Sequence, residues 1–222
     1  HSPLTTHHSR FTSHDSRLTF FCHLYPMTSQ DRVSRAIAAF DSYHERDPHR
    51  ETESGKVYPA ELLYARRMTE RLASFAPDAD EAVKLAVRCQ HIGRWEIPRE
   101  NYPQAKKGYL QWRAQEKFHH AGVAERILSE CGYDSHVIDK VTQLLLKKEL
   151  NSNPDTQLLE DVACIVFIEF YLEDFAGKHD DNKVVDILRK TLKKMSGAAK
   201  HLVVDLKHPE KNRSLIERAT KS

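Results

Sequence analysis

The residues best suited to chemistry gather around one histidine. His91 closes the run Leu85-Ala86-Val87-Arg88-Cys89-Gln90 and is followed by Ile92-Gly93-Arg94-Trp95. An imidazole, whose ordinary pKa lies near neutrality, can ligate a metal or move a proton. A histidine that ends an apolar helix also reads as a core side chain bonded to a backbone carbonyl, and the residues leave both readings open. Arg94, Arg99 and Arg113, with Trp95 and Trp112, form a second group. Guanidinium forks grip phosphate in two places, and they also stack on indoles without any ligand. Pro98 and Pro103 stiffen the loop that carries them. His119 and His120 add two imidazoles, and Lys147, Lys148 and Lys178 add cations. Glu160-Asp161 places two acids side by side. Successive helical residues point about 100° apart, so only one of them faces a site squarely, and Asp161 is the expected one. Acids at a helix start also complement the helix dipole. The candidate catalytic set is therefore His91, Asp161, His119 and His120. The candidate anion-binding set is Arg94, Arg99, Trp112, Arg113, Lys147, Lys148 and Lys178.

Helices must position these groups. Val33, Ile37 and Phe40 recur at helical spacing after Ser29 and Asp31. A polar link runs from Asp47 to Lys56. Pro59 stands at a helix start, and Leu62, Leu63, Met68, Leu72 and Phe75 form an apolar stripe. Ala82 to Cys89 carries the next helix into His91. A loop from Ile97 to Pro103 precedes a long helical pattern from Lys106 to Cys131, which Gly132 stops. Val137 to Leu145 is amphipathic. Leu158 to Phe175 is apolar nearly all round and reads as a central buried helix whose acids, Glu160, Asp161, Glu169 and Glu173, need partners. Val184 to Met195 ends in Lys193-Lys194, and two short helices near 198–206 and 209–220 close the chain. No strand alternation stands out. The expected fold is all-α, a single globular multi-helix domain over 27–222.

Composition narrows the function classes. Thirty-four basic and 32 acidic residues give a net charge of +2, without the basic excess that a large nucleic-acid footprint requires. Seven glycines are too few for the turns and phosphate loops of a Rossmann or all-β protein. The four cysteines, Cys22, Cys89, Cys131 and Cys164, form no C-x-x-C pair and read as thiols of a reducing compartment. No stretch approaches the roughly 18 to 20 apolar residues that span a bilayer. Residues 1–26 are rich in His, Ser and Thr, with Asp15 the single acid. They read as an upstream extension, as a disordered tail, or as an acid-poor mitochondrial transit peptide. The third reading places the protein in mitochondria, and otherwise the expected compartment is the cytoplasm.

Two short motifs point toward a glutamyl-tRNA synthetase. His91-Ile92-Gly93-Arg94 resembles the H-I-G-H signature and Lys194-Met195-Ser196-Gly197 resembles the K-M-S-K-S loop. The physical context disfavours that label, because the first motif belongs after a strand of a parallel sheet and here it follows a helical pattern.

A longer resemblance covers the chain. Leu85 to Arg94, Phe118-His119-His120-Ala121-Gly122, Val141 to Lys148 and Leu159-Glu160-Asp161-Val162-Ala163 occur in the order of an HD domain, a helical metal phosphohydrolase. From about Met27 onward the chain more specifically resembles the family known as domain of unknown function 4202. That resemblance rests on Gln90-His91-Ile92-x-Arg94-Trp95-x-Ile97-Pro98-Arg99, Gly108-Tyr109-Leu110-x-Trp112-Arg113, Phe118-His119, Phe175-Ala176-x-Lys178-His179-Asp180 and Asp186 to Thr191. It implies a helical fold and brings no established activity. The HD resemblance implies one divalent metal, with His91 and Asp161 as ligands. The chain departs from that pattern at Tyr64 (for a histidine), at Ile92 (for the aspartate of the H-D pair) and at Lys147 or Lys148 (for a late histidine). Two functions follow: a phosphohydrolase acting on a phosphorylated small molecule or nucleotide, and a metal-free module that binds a nucleotide or other anion. The residues do not choose between them, and they do not give the oligomeric state.

Overall fold

Six of the ten helices among the described residues begin at a small polar side chain that accepts from their unpaired N–H groups. The computed structural model describes residues 28–150 and 152–221. Thr28 and Asp31 form a reciprocal capping box at the start of α1 (Ser29–His44). A short antiparallel hairpin follows, β1 (Arg50–Glu53) and β2 (Lys56–Pro59), with Arg50 opposite Pro59. Its two-residue turn places Ser54 and Gly55 at φ +49° and +77°, as the right-handed twist of a tight hairpin demands. α2 (Ala60–Phe75), α3 (Glu81–Cys89), α4 (Lys106–Glu130), α5 (Ser135–Leu145), α6 (Pro154–Val166), α7 (Leu172–Lys178), α8 (Asp181–Lys194), α9 (Gly197–Asp205) and α10 (Glu210–Thr220) complete the order. Asp80, Asp134, Asn153, Asp180 and Ser196 cap α3, α5, α6, α8 and α9 through their side chains. The leader at 1–26, Cys22 and Met27 lie outside the described residues.

The core has two parts that share α6. Phe40, Met68, Leu85, Ile92, Leu128, Val141 and Leu159 pack between α1 and the first half of α6. Ile165, Ile168, Leu172, Leu188, Met195, Val203 and Leu215 pack between the second half of α6 and α10. A helix with apolar residues on every side can be buried on every side, which is how one segment serves both parts. Three acids of that segment find partners, and Glu173 is exposed instead. Glu169 pairs with Arg71, Glu160 with Lys147 and Lys194, and Asp161 accepts from the Ser196 backbone N–H at 2.8 Å.

Two expectations are corrected. The link from Asp47 to Lys56 is not featureless, since its second half forms the hairpin. The stretch from Leu158 to Phe175 is not one regular helix, because residues Phe167–Tyr171 form a wide π-type turn between α6 and α7. Such a turn holds an extra residue and swings the side chains that follow it, and it recurs beside functional sites. The fold is mostly helical and a single domain. Among the described residues no helix is long and apolar enough to cross a membrane.

Candidate functional site: a cationic cleft beside His91

The start of α2, the end of α3, the start of α4, the α5–α6 loop, α6, the π-type turn and the end of α8 border a half-enclosed cavity of about 570 Å³. That is the size of an ordinary small-molecule pocket. His91, Glu61, Arg94, Arg113, Lys147, Glu160 and Lys194 bring its charged groups, and Tyr64, Phe167 and Tyr171 bring apolar wall. Phe167 and Tyr171 are the first and last residues of the π-type turn.

His91 stands just past the end of α3, where Gly93 turns the chain at φ +72°, a conformation open to glycine. Its ring stacks on Tyr64 at 4.3 Å, nearly parallel. Its Nδ1 lies 3.4 Å from Glu61 Oε2, and Arg94 Nη1 lies 3.3 Å from both ring nitrogens. An atom equidistant from both nitrogens covers the ring instead of lining up with either lone pair, so the guanidinium packs over the imidazole. Burial, then Arg94, Arg113 and Lys147, hold the imidazole neutral, well below its ordinary pKa. Glu61 is fixed through its own backbone, whose N–H donates to Asp47 Oδ2 at 2.9 Å. Burial raises the Glu61 carboxyl to about 7, against the pull of Arg94.

Arg94 is shared. Its Nε lies 3.6 Å from Glu61 Oε1 and 3.5 Å from Glu116 Oε1, and its guanidinium stands 5.3 Å from the Trp112 ring. Arg113 reaches Glu116 Oε2 at 3.3 Å. Lys147 arrives by an unusual route. The Lys148 N–H donates to the Gln143 carbonyl and the Lys147 N–H to the Leu144 carbonyl, the pair of bonds of a Schellman stop. The same two bonds close α4 at Tyr133 and Gly132. There the left-handed residue is glycine, at φ +80°, as the sequence led one to expect. After α5 it is Lys147, at φ +55°, where a side chain costs roughly 1 kcal/mol. From that position Lys147 meets Glu160, which Lys194 approaches at 3.5 Å. Burial pushes the Glu160 carboxyl up, but Lys147 and then Lys194 more than offset it, so it ends below its ordinary value. Lys117 lies outside the lining, and burial, then Lys147 and Arg113, lower its pKa.

Residues 34–216 match the family described as domain of unknown function, DUF4202. The chain belongs to the DUF4202 family. No curated protein and no solved structure matches it.

In this DUF4202 chain the cleft takes in His91, Arg94, Arg113 and Lys147 of the residues named from sequence, and leaves the others elsewhere. Asp161 points away, its Oδ1 held by the Ser196 N–H and by Gln157 Nε2 at 2.9 Å. Its neighbour Glu160 faces the cleft instead. His120 is buried beneath His91, and its Nδ1–H donates to the Ile92 carbonyl at 2.7 Å. His119 turns to the opposite side of α4 and lies 2.9 Å from Glu96 Oε2. Arg99 donates to the Tyr102 and Pro103 carbonyls, closing its own loop. Trp112 donates to the Ile97 carbonyl and serves as the floor under Arg94 and Arg99. Lys148 is exposed, and Lys178 pairs with Asp174 at 2.7 Å.

Glu61, Tyr64, Gln90, Glu160 and Lys194 are among the cleft residues that sequence reasoning did not assign to it. A signal existed for one pair: Glu61 and Tyr64 stand three residues apart, hence on one face of α2.

The side chains do not fit the divalent metal that the HD resemblance implies. Ile92, in the aspartate's place, offers no ligand and is wholly buried in the core. Tyr64 stacks on His91 instead of sharing a metal with it, Asp161 lies outside the cleft, and a guanidinium covers His91. Among the described residues no group of three or more His, Cys, Asp and Glu side chains is arranged to hold a metal.

Proposed function

We propose that the cleft binds the phosphate of a phosphorylated small molecule or nucleotide. One observation carries this reading: four cationic side chains, Arg94, Arg113, Lys147 and Lys194, line a single half-enclosed cavity. Of the acids that face them, Glu61 keeps its proton up to near neutrality. The cations outnumber the acids Glu51, Glu61 and Glu160 on the same wall, a recessed net positive charge draws in an anion, and guanidinium and ammonium groups are the usual phosphate donors. The aromatic wall of Tyr64, Phe167 and Tyr171 suits the body of such a ligand. Titration calorimetry with inorganic phosphate and simple phosphate monoesters tests the reading. Binding in the micromolar to millimolar range is expected, weakened at least tenfold in Arg113→Ala and in Lys194→Ala. No binding, or binding that neither variant alters, sinks it.

Phosphate-ester hydrolysis is the second reading. It is favoured by Glu61, which can hold or release a proton near pH 7, beside the neutral imidazole of His91. The order His91 after α3, His119 and His120 on α4, Glu160 and Asp161 on α6 supports kinship with the HD fold. A cytoplasmic site of action rests on the buried free thiols of Cys89, Cys131 and Cys164.

A further inference from the structure

We infer that the outer face of α4 is a self-association surface, on which two copies of this chain pair antiparallel about the level of Glu116.

A surface helix normally carries its apolar side chains on one side. α4 carries them on two. Trp112, His120, Ala124 and Ile127 are buried on its inner side. On the outer side Lys107, Leu110, Ala114, Phe118, Gly122 and Glu125 are all exposed. They follow one another at three or four residues, so they share one face of the helix. Leu110 is 56% exposed and Phe118 64%, and apolar side chains standing together in solvent with a charged rim mark a contact surface.

Three features select a second copy as the occupant. The spacing along this face is three, four, four, four and three residues, the same in either direction. A reversed copy therefore sets Lys107 against Glu125, Leu110 against Gly122 and Ala114 against Phe118, each pair occurring twice. The charges agree with that reversal. α4 has no acid in its first turn and no base in its last, so Lys107 near the start and Glu125 toward the end both run against the helix dipole. An antiparallel neighbour makes the same placement favourable, because each Lys107 then meets Glu125 of the second copy. Gly122 supplies the third feature. Glycine weakens a helix interior, and no described residue comes within 4 Å of the place where a Gly122 Cβ would stand. The single chain has no need of that gap, and a leucine arriving from outside fits it.

The face is about 27 Å long at 1.5 Å per residue. One helix pair of that length covers less than the ordinary ~800 Å² a side, so the association is reversible and micromolar. Tyr109 and Arg113, through which α4 lines the cleft, are not part of this face, and the inference stands apart from the phosphate reading.

Sedimentation velocity of the purified full chain, from low micromolar to a few hundred micromolar, tests it. The mass is expected to rise with concentration from 25.7 kDa toward twice that value. Phe118→Asp is expected to weaken the association at least tenfold. Lys107→Glu and Glu125→Lys are each expected to weaken it several-fold. Both together in one chain should restore it, since the two ion pairs re-form with their signs exchanged. A monomer at every concentration overturns the inference. So does a dimer that Phe118→Asp leaves intact, or a double reversal that stays as weak as the single ones. If Phe118→Asp does not fold, Gly122→Gln decides, because its side chain extends into open space in the single chain: weaker association is expected, and unchanged association overturns the inference.

Discussion

Lys147 meets Glu160 from a backbone conformation that favours glycine. The lysine stands at φ +55° in the stop of α5, the carboxylate is buried on α6, and the two form an ion pair. Strained backbone persists where its surroundings hold it, often at functional positions. Lys147→Gly removes both the strain and the charge, whereas Lys147→Met removes only the charge. Breaking a buried pair costs about 3 kcal/mol or more, somewhat less here because Lys194 remains near Glu160. Lys147→Gly should therefore unfold in urea with about 1 kcal/mol less loss than Lys147→Met, and both should lose phosphate binding alike. Greater damage from the glycine would contradict the backbone argument.

The adjacent acids of α6 should separate by phenotype. Asp161→Ala removes the partner of the Ser196 N–H at the start of α9, which should lower stability by about 1–2 kcal/mol and leave phosphate affinity within twofold. Glu160→Gln frees Lys147 and Lys194 from their counter-ion, so phosphate should bind several-fold tighter. Weaker binding in Glu160→Gln, or lost binding in Asp161→Ala, would reverse the assignment of the two residues.

Stability should carry the signature of Glu61 across pH. Its carboxyl rises from 4.5 to about 7 on folding, so the folded state holds the proton more tightly than the unfolded state. Its contribution is complete below about pH 4.5 and is lost as pH climbs to about 7. Glu61→Gln cannot ionise. Its stability relative to the native chain should therefore rise between those pH values and level off above them, by on the order of 3 kcal/mol. His91 and His120, whose pKa values fall on folding, act in the opposite sense: their contribution is present above about 6.5 and fades as pH drops. A flat difference between Glu61→Gln and the native chain from pH 4.5 to 7 would refute the assignment.

The three histidines should divide as well. His120→Leu leaves the Ile92 carbonyl without its donor and should cost about 1–3 kcal/mol, with phosphate affinity kept. His91→Ala strips the platform between Tyr64 and Arg94 and should weaken phosphate binding severalfold. His119→Ala, on the far side of α4, should leave binding unchanged. Thermal melts paired with calorimetry distinguish these patterns.

The helices were legible because their signals are local: caps such as Asp80 and Ser196, and apolar spacing such as Leu62 to Leu72. The hairpin was not, because Arg-Glu-Thr-Glu and Lys-Val-Tyr-Pro alternate without an apolar face, and Val57 remains 64% exposed. The π-type turn was hidden inside an unbroken apolar run, Phe167 to Tyr171, which reads as regular helix. Glu61 looks like any first-turn acid that complements a helix dipole. Its place in the cleft depends on Asp47, fourteen residues away. That one of Glu160 and Asp161 faces the cleft follows from helical geometry. Which one depends on the rotation of α6, set by packing on α2, α3, α8 and α9 together.

The hairpin adds a property of its own. Little apolar surface anchors it. Arg67 of α2 grips Glu51 at 2.5 Å and Glu53 at 2.9 Å, and Glu51 stands at the edge of the cleft. Arg67 is buried but its two partners are partly exposed, so ions screen these pairs in part, while the packed interior beneath is indifferent to salt. Added salt should therefore loosen the hairpin at the edge of the cleft before it disturbs the packed interior.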